Sequence, residues 1–169
     1  MELLIPGLIL VALMVYASTK IKKNAAKAFE TESIETEEFS ITKPEGFLHP
    51  LNNDSEYAFE AYSKEFGQDH AEQIRQASAE ILRLDDTNLD EQRNEISREV
   101  TAITAEKADS DKIIFIEAER EEGNIVLDSF FKLVARGNKV YELRISVLPE
   151  YKDAYLDRID EMLDSFKVK

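Results

Sequence analysis

The chain opens on an apolar run and then changes its hydrophobic period several times. Met1 to Thr19 holds no basic side chain and a single acid, Glu2. As a helix rising about 1.5 Å per residue, such a run reaches roughly 28 Å, close to the ~30 Å hydrocarbon core of a bilayer. Pro6 and Gly7 lie in its first turns, where a proline costs least. Tyr16 falls where aromatic rings meet a membrane interface, and Lys20, Lys22 and Lys23 follow within snorkelling reach of headgroups. The pattern predicts an uncleaved signal-anchor, a single transmembrane helix over residues 1–19. Two alternatives stand beside it. Val15-Tyr16-Ala17 is a passable cleavage site for a signal peptide, although the positive charge here follows the apolar run instead of preceding it. A buried core helix is the other. Lysines after the span and none before it place the rest of the chain on the cytoplasmic side, as a single-pass membrane protein.

Residues 20–37 read as a juxtamembrane linker, basic and then acidic. Ala25, Ala26, Ala28 and Phe29 favour continuing the helix out of the bilayer. Glu30, Glu32, Glu35, Glu37 and Glu38 then crowd into nine residues. Residues 30–37 are expected to be a spacer that lifts the body off an anionic surface, or else a plain polar linker.

Residues 38–169 read as one soluble α+β domain. Glu38 to Thr42 alternates as a short strand, and Lys43-Pro44-Glu45-Gly46 reads as a turn. Asp54 or Ser55 can cap a helix carrying Phe59, Tyr62 and Phe66 on one face. A second helix is expected from Asp69, with Ile74, Ala77, Ile81 and Leu82 as its stripe. A third starts at Asn88, carries Leu89, Ile96, Val100 and Ile103, and ends near Lys107. The period then shortens. Ile113 to Ile116 is apolar on both faces, as an interior strand is. Glu121 to Asn124 is a turn, Ile125 to Arg136 a strand, Gly137-Asn138 a two-residue hairpin turn, and Val140 to Leu148 the return strand. That loop length pairs Phe130 with Ile145 and Val134 with Tyr141, and sets Phe131 opposite Arg144 and Leu133 opposite Glu142. Pro149 opens a last helix whose stripe is Tyr151, Tyr155, Ile159, Met162, Leu163 and Phe166. The expected architecture is an antiparallel sheet of about four strands flanked by helices.

Composition narrows the function classes. The chain has 169 residues, 43% hydrophobic and 33% charged, which is globular. Residues 1–29 carry four lysines and one glutamate, whereas the remainder carries 17 basic and 34 acidic residues. A body that acidic is repelled by phosphate, which argues against nucleic acid as a partner. There is no cysteine, which removes disulfides, thiolate catalysis and cysteine-held metals.

Residues 112–168 and the opening FSITKPEGF (Phe39 to Phe47) resemble a PsbP-like or DcrB-like domain. The likeness lies in the succession of strands, in the Pro-x-Gly-aromatic word after the opening strand, and in a closing helix that ends Ser165-Phe166. It implies an antiparallel sheet flanked by helices, and a non-catalytic accessory or assembly role. It implies no particular site residue.

Candidate chemistry is sparse. His49 precedes Pro50 in a loop, and His70 sits in a first helical turn. Neither has a ligand at metal spacing. No GxSxG elbow surrounds Ser63 or Ser129, and no glycine is spare to build a phosphate loop. The acid pairs Asp85/Asp86, Asp109/Asp111 and Glu121/Glu122 lie in expected turns without a calcium-loop pattern. No catalytic, cofactor-binding or metal residue is therefore assigned, and a small-molecule ligand is left open. The membrane-flanking set is Tyr16, Lys20, Lys22 and Lys23. Phe131, Leu133 and Arg144 share the second sheet face, and form a partner patch if no helix covers them, or core if the 55–107 helices do. The reading is a non-enzymatic, membrane-tethered accessory protein that binds a protein partner of unknown identity. An exported PsbP-like binding protein and a small hydrolase are the alternatives.

Overall fold

The computed structural model describes residues 4–50 and 55–169, without the side chains of residues 4–10, 23–25 and 70. In chain order its elements are α1 (Leu4–Lys27), β1 (Glu32–Glu35), β2 (Phe39–Lys43), β3 (Phe47–Leu48), β4 (Phe59–Ser63), β5 (Ala77–Asp85), α2 (Leu89–Glu99), β6 (Ala102–Ser110), β7 (Ile113–Glu122), β8 (Ile125–Arg136), β9 (Lys139–Val147), α3 (Lys152–Ser165) and β10 (Lys167–Val168). Single 3₁₀ turns at Asp69–Ala71 and Pro149–Tyr151 complete the list.

The expected hairpins of the last third are present, and they form the centre of a larger sheet. Gly123 and Asn124 both take positive φ, 55° and 75°, as a type I′ turn between β7 and β8 requires. The β8–β9 register pairs Phe130 with Ile145, Val134 with Tyr141, Phe131 with Arg144 and Leu133 with Glu142, as the loop length dictates. Around this meander the sheet grows to seven strands in the order β3-β4-β5-β9-β8-β7-β6, antiparallel throughout, instead of about four. A second sheet, β1-β2-β10, joins the start of the body to its end.

Each face of the large sheet has its own cover. On one, Tyr155, Ile159 and Met162 of α3, with Phe166 beyond it, pack on Phe130, Tyr141, Leu143, Ile145, Ala79 and Ile81. This is the packing expected for the closing helix. On the other, Leu89 and Ile96 of α2 meet Ile114, Ile116, Phe131, Leu133 and Val140.

Two expected helices are strands. Phe59, Ala61 and Ser63 are buried, and alternate with Glu60 and Tyr62 on the other side of β4. Ala77, Ala79 and Ile81 do the same in β5, whose fourfold apolar spacing also satisfies a helical template. Inward alanines, strong helix formers in isolation, serve here as small side chains at a crowded strand pair, with Ala61 opposite Ala79. The third expected helix is correct at its start, where Asn88 Oδ1 accepts the Glu91 backbone N–H at 3.0 Å. It stops at Glu99, not near Lys107, because Val100 turns to extended geometry and the chain leaves as β6.

The N-terminal segment also differs in detail. The helix runs on past residue 19 to Lys27, as the alanines there favour, but residues 32–35 of the expected linker are strand β1, paired with β2. The expected span over 1–19 falls partly outside the described residues. Among the described residues no helix is long and apolar enough to cross a membrane.

Leu133 has no exposed surface beneath α2. Leu133→Ala is expected to destabilise the domain by about 2–5 kcal/mol, read as a lower urea midpoint. An unchanged midpoint would remove α2 from the core.

Candidate functional site

Three places in this fold gather side chains that a soluble core does not need. One is the junction where α1 meets the body. Lys43, at the end of β2, has no exposed surface, and its Nζ donates to the carbonyls of Ala28 (3.2 Å), Glu30 and Phe47 (2.9 Å). The Ala26 and Lys27 carbonyls of α1 accept the Phe29 and Glu30 N–H groups, and the lysine satisfies acceptors just after the helix, near the negative end of its dipole. Desolvation holds this lysine below the ordinary range, while Glu32 and Glu30 pull it back upward. The Phe29 carbonyl accepts the Gly46 N–H at 2.8 Å, and the Lys64 ammonium lies 5.8 Å from the centre of the Phe29 ring. The stretch just after α1, residues 28–30, is therefore clasped to the body. Beside the clasp lies an open cleft of about 740 Å³, lined by Lys27, Glu30, Glu32, Leu48, His49 and Tyr62 among others. His49 is occupied structurally. Its Nδ1 lies 2.7 Å from the Glu60 carbonyl, and its ring stacks on Phe59.

The second place is a polar strip on the α2 side of the sheet. Arg144 of β9 lies 3.3 Å from Glu80 and 4.0 Å from Glu142. Gln92 of α2 donates to Glu142, which is 3% exposed. Burial pushes both carboxyls up, and Arg144 partly restores them. Further along, Arg120 donates to Glu122 (3.0 Å) and to Ser146 (3.4 Å), and the Ser146 and Ser129 hydroxyls are 3.3 Å apart. The Nε atoms of Arg120 and Arg144 are buried without a partner among the described residues. The strip binds strands together through charge. Among the described residues none of its serines is hydrogen-bonded to a histidine.

The third place is the outer edge, β6, all nine of whose residues are exposed.

The residues singled out from the sequence fall as follows. Tyr16 is 66% exposed, and Lys20 and Lys22 are also exposed on α1. The side chain of Lys23, like that of His70, lies outside the described set. Phe131 and Leu133 are core under α2, so they form no open patch, and Arg144 alone of the three joins a polar cluster. The paired acids Asp85/Asp86, Asp109/Asp111 and Glu121/Glu122 are exposed. Among the described residues no group of three or more His, Asp or Glu is placed to hold a metal. Sequence reasoning missed Lys43 and its counterpart Lys132, whose Nζ donates to the carbonyls of Leu163 in the last turn of α3 and of Phe166 just beyond it (2.9 Å). A signal existed for both. Lys43 occupies the inward phase of Phe39 and Ile41, and Lys132 that of Phe130 and Val134.

No family model matches the chain, and no curated protein matches it in sequence. Solved structures do match in fold. A cyanobacterial PsbP (CyanoP) from Synechocystis sp. PCC 6803 superposes with a TM-score of 0.56 at 12% identity, covering 83% of this chain and 94% of that one. The Saccharomyces cerevisiae Ran-binding protein Mog1p gives 0.57 at 11% identity, covering 83% and 96%. LpqN, described as involved in cell envelope biogenesis of Mycobacterium tuberculosis, gives 0.51 at 8% identity, covering 83% and 91%. The PsbP-like resemblance holds at the level of the fold.

Two outcomes are expected. A carboxyl raised by burial contributes stability that is complete below its unfolded value and is lost as pH rises through its folded value. Glu142→Gln should therefore melt higher than the parent at neutral pH, and the difference should vanish as pH falls below the carboxylate range, in scans from about pH 4 to pH 8. A constant difference across that range would show that Glu142 does not titrate with folding. Lys43→Met should cost about 1–3 kcal/mol or more in urea unfolding, because it orphans buried carbonyls.

Proposed function

We propose that the chain is a non-catalytic, membrane-tethered accessory or assembly protein that holds a protein partner beside the bilayer, with its α+β body on the cytoplasmic side. One observation carries the tether. Val11, Leu13, Met14, Val15, Tyr16 and Ile21 of α1 are 59–68% exposed among the described residues. Leaving a large apolar side chain in water forgoes about 1.5–3 kcal/mol, so such a helix calls for another phase around it. The apolar sequence upstream of Val11 and the lysines at 20, 22 and 23 make lipid hydrocarbon, flanked by headgroups, the fitting one. The same lysines favour a cytoplasmic body.

The binding role is supported by the fold shared with PsbP and Mog1p, the latter described as Ran-binding. The non-catalytic reading is supported by how the reactive side chains are used. His49 holds a backbone carbonyl, and Ser129 and Ser146 face each other.

The full chain should remain in membranes washed with alkaline carbonate, and Leu13→Asp with Val15→Asp should release it. In sealed vesicles, protease should remove the body only from the cytoplasmic face. Digestion only from the other face would favour the exported form of the same binding protein, and release of the parent chain by carbonate would remove the tether altogether.

A further inference from the structure

We propose that the β6 edge is the partner site of this protein, and that its occupant is an extended segment of another protein with lysine or arginine at alternate positions. The proposal rests on the binding role above, and assigns it a place and a chemistry.

An edge strand presents a row of unpaired backbone N–H and C=O groups, and folded proteins ordinarily shorten or cover it. The opposite edge of this sheet obeys that rule, since β3 has two residues. β6 has nine, pairs with β7 alone, and is exposed along its whole length. Register shifts at Ile103/Ala105 and Ala108/Ser110 bracket it, leaving Ala105, Glu106, Lys107 and Ala108 in regular pairing with β7. Four residues are enough to seed addition of one short strand.

Grooves lie on both faces of that run. Toward α3, one of about 460 Å³ has Phe115 and Leu163 as apolar lining, with Glu117, Asp160 and Asp164 around them. Toward α2, one of about 560 Å³ has Leu89 and Ile114, with Asp90 and Asp111. Side chains of an added strand point alternately to the two faces. Ala105 and Ala108, lacking bulk, leave room for them to fold inward. A long aliphatic stem ending in a cation suits both grooves, because the stem covers apolar surface while the charge meets the acids. Lys107 is the one base among the groove residues, and Glu106 is already paired with Arg93 at 2.7 Å. The remaining acids would repel one another if two copies met edge to edge, which favours a basic partner over a second copy.

The test is titration of the isotope-labelled full chain, in detergent micelles, with a synthetic peptide of alternating lysine and valine. A peptide of alternating glutamate and valine serves as control. Amide shifts should centre on Ala105 to Ala108, and the lysine peptide should bind at least about tenfold tighter than the control. Asp160→Lys with Asp164→Lys, both exposed on α3, should weaken binding by about tenfold without altering the fold, and Ala105→Pro should abolish it. Shifts away from β6, equal affinity for the two peptides, or no binding would overturn the proposal. So would a dimer in sedimentation that Ala105→Pro dissolves, which would make a second copy the occupant. Crosslinking of one native partner by the parent and by Ala105→Pro alike would also overturn the edge assignment, while leaving the binding role intact.

Discussion

Burial of β9 on both faces is the constraint from which the rest of the structure follows. It lies between β5 and β8, and seven of its nine residues are buried. Tyr141, Leu143, Ile145 and Val147 ask for an apolar cover on one side, and α3 supplies it. Val140, with Leu133 of β8, asks for one on the other side, and α2 supplies it. Between those covers β9 also sends Glu142, Arg144 and Ser146 out of water. A buried polar group is tolerated only with partners, so Gln92, Glu80 and Ser129 are drawn in from three other elements. The polar strip is thus a consequence of where the strand sits, as much as the hydrophobic core is.

What could be read in advance was whatever is specified locally. The two-residue β8–β9 loop fixed the pairing of four residue couples, the Asn88 cap fixed the start of α2, and the 3.6-residue stripe after Pro149 fixed the face of α3. Reading failed where two periods fit one segment. In β4 and β5, alanines at the inward positions satisfied a helical template, and only the pairing of the two strands, with Ala61 opposite Ala79, settles their period. β6 carries too little apolar alternation to announce a strand, since neither of its faces is covered.

The candidate site divides along the same line. The exposed apolar side chains of α1 and the lysines after them are matters of composition, and could be named from sequence. The second-face residues Phe131 and Leu133 were placed correctly opposite Arg144 and Glu142, but whether a helix lay over them depended on where α2 ended up. Lys43 was passed over because it reads as the first residue of a turn, and Lys132 because a lysine in a strand is ordinarily taken to face solvent. Both instead reach backbone carbonyls at or just beyond the C-terminal end of a helix, Lys43 after α1 and Lys132 at α3. One lysine from each sheet thus serves a helix end by the same device.

That shared device gives the N-terminal rod a mechanical meaning. A hinge of flexible residues after α1 would leave the start of the body free to move. Here the rod ends in a strand-borne cation, a clasping loop at Gly46 and the β1–β2 ladder, all within one small sheet that also takes in β10. The residues after α1 and the strand they lead into are thus fastened to the body, which leaves no slack linker between Phe29 and the small sheet.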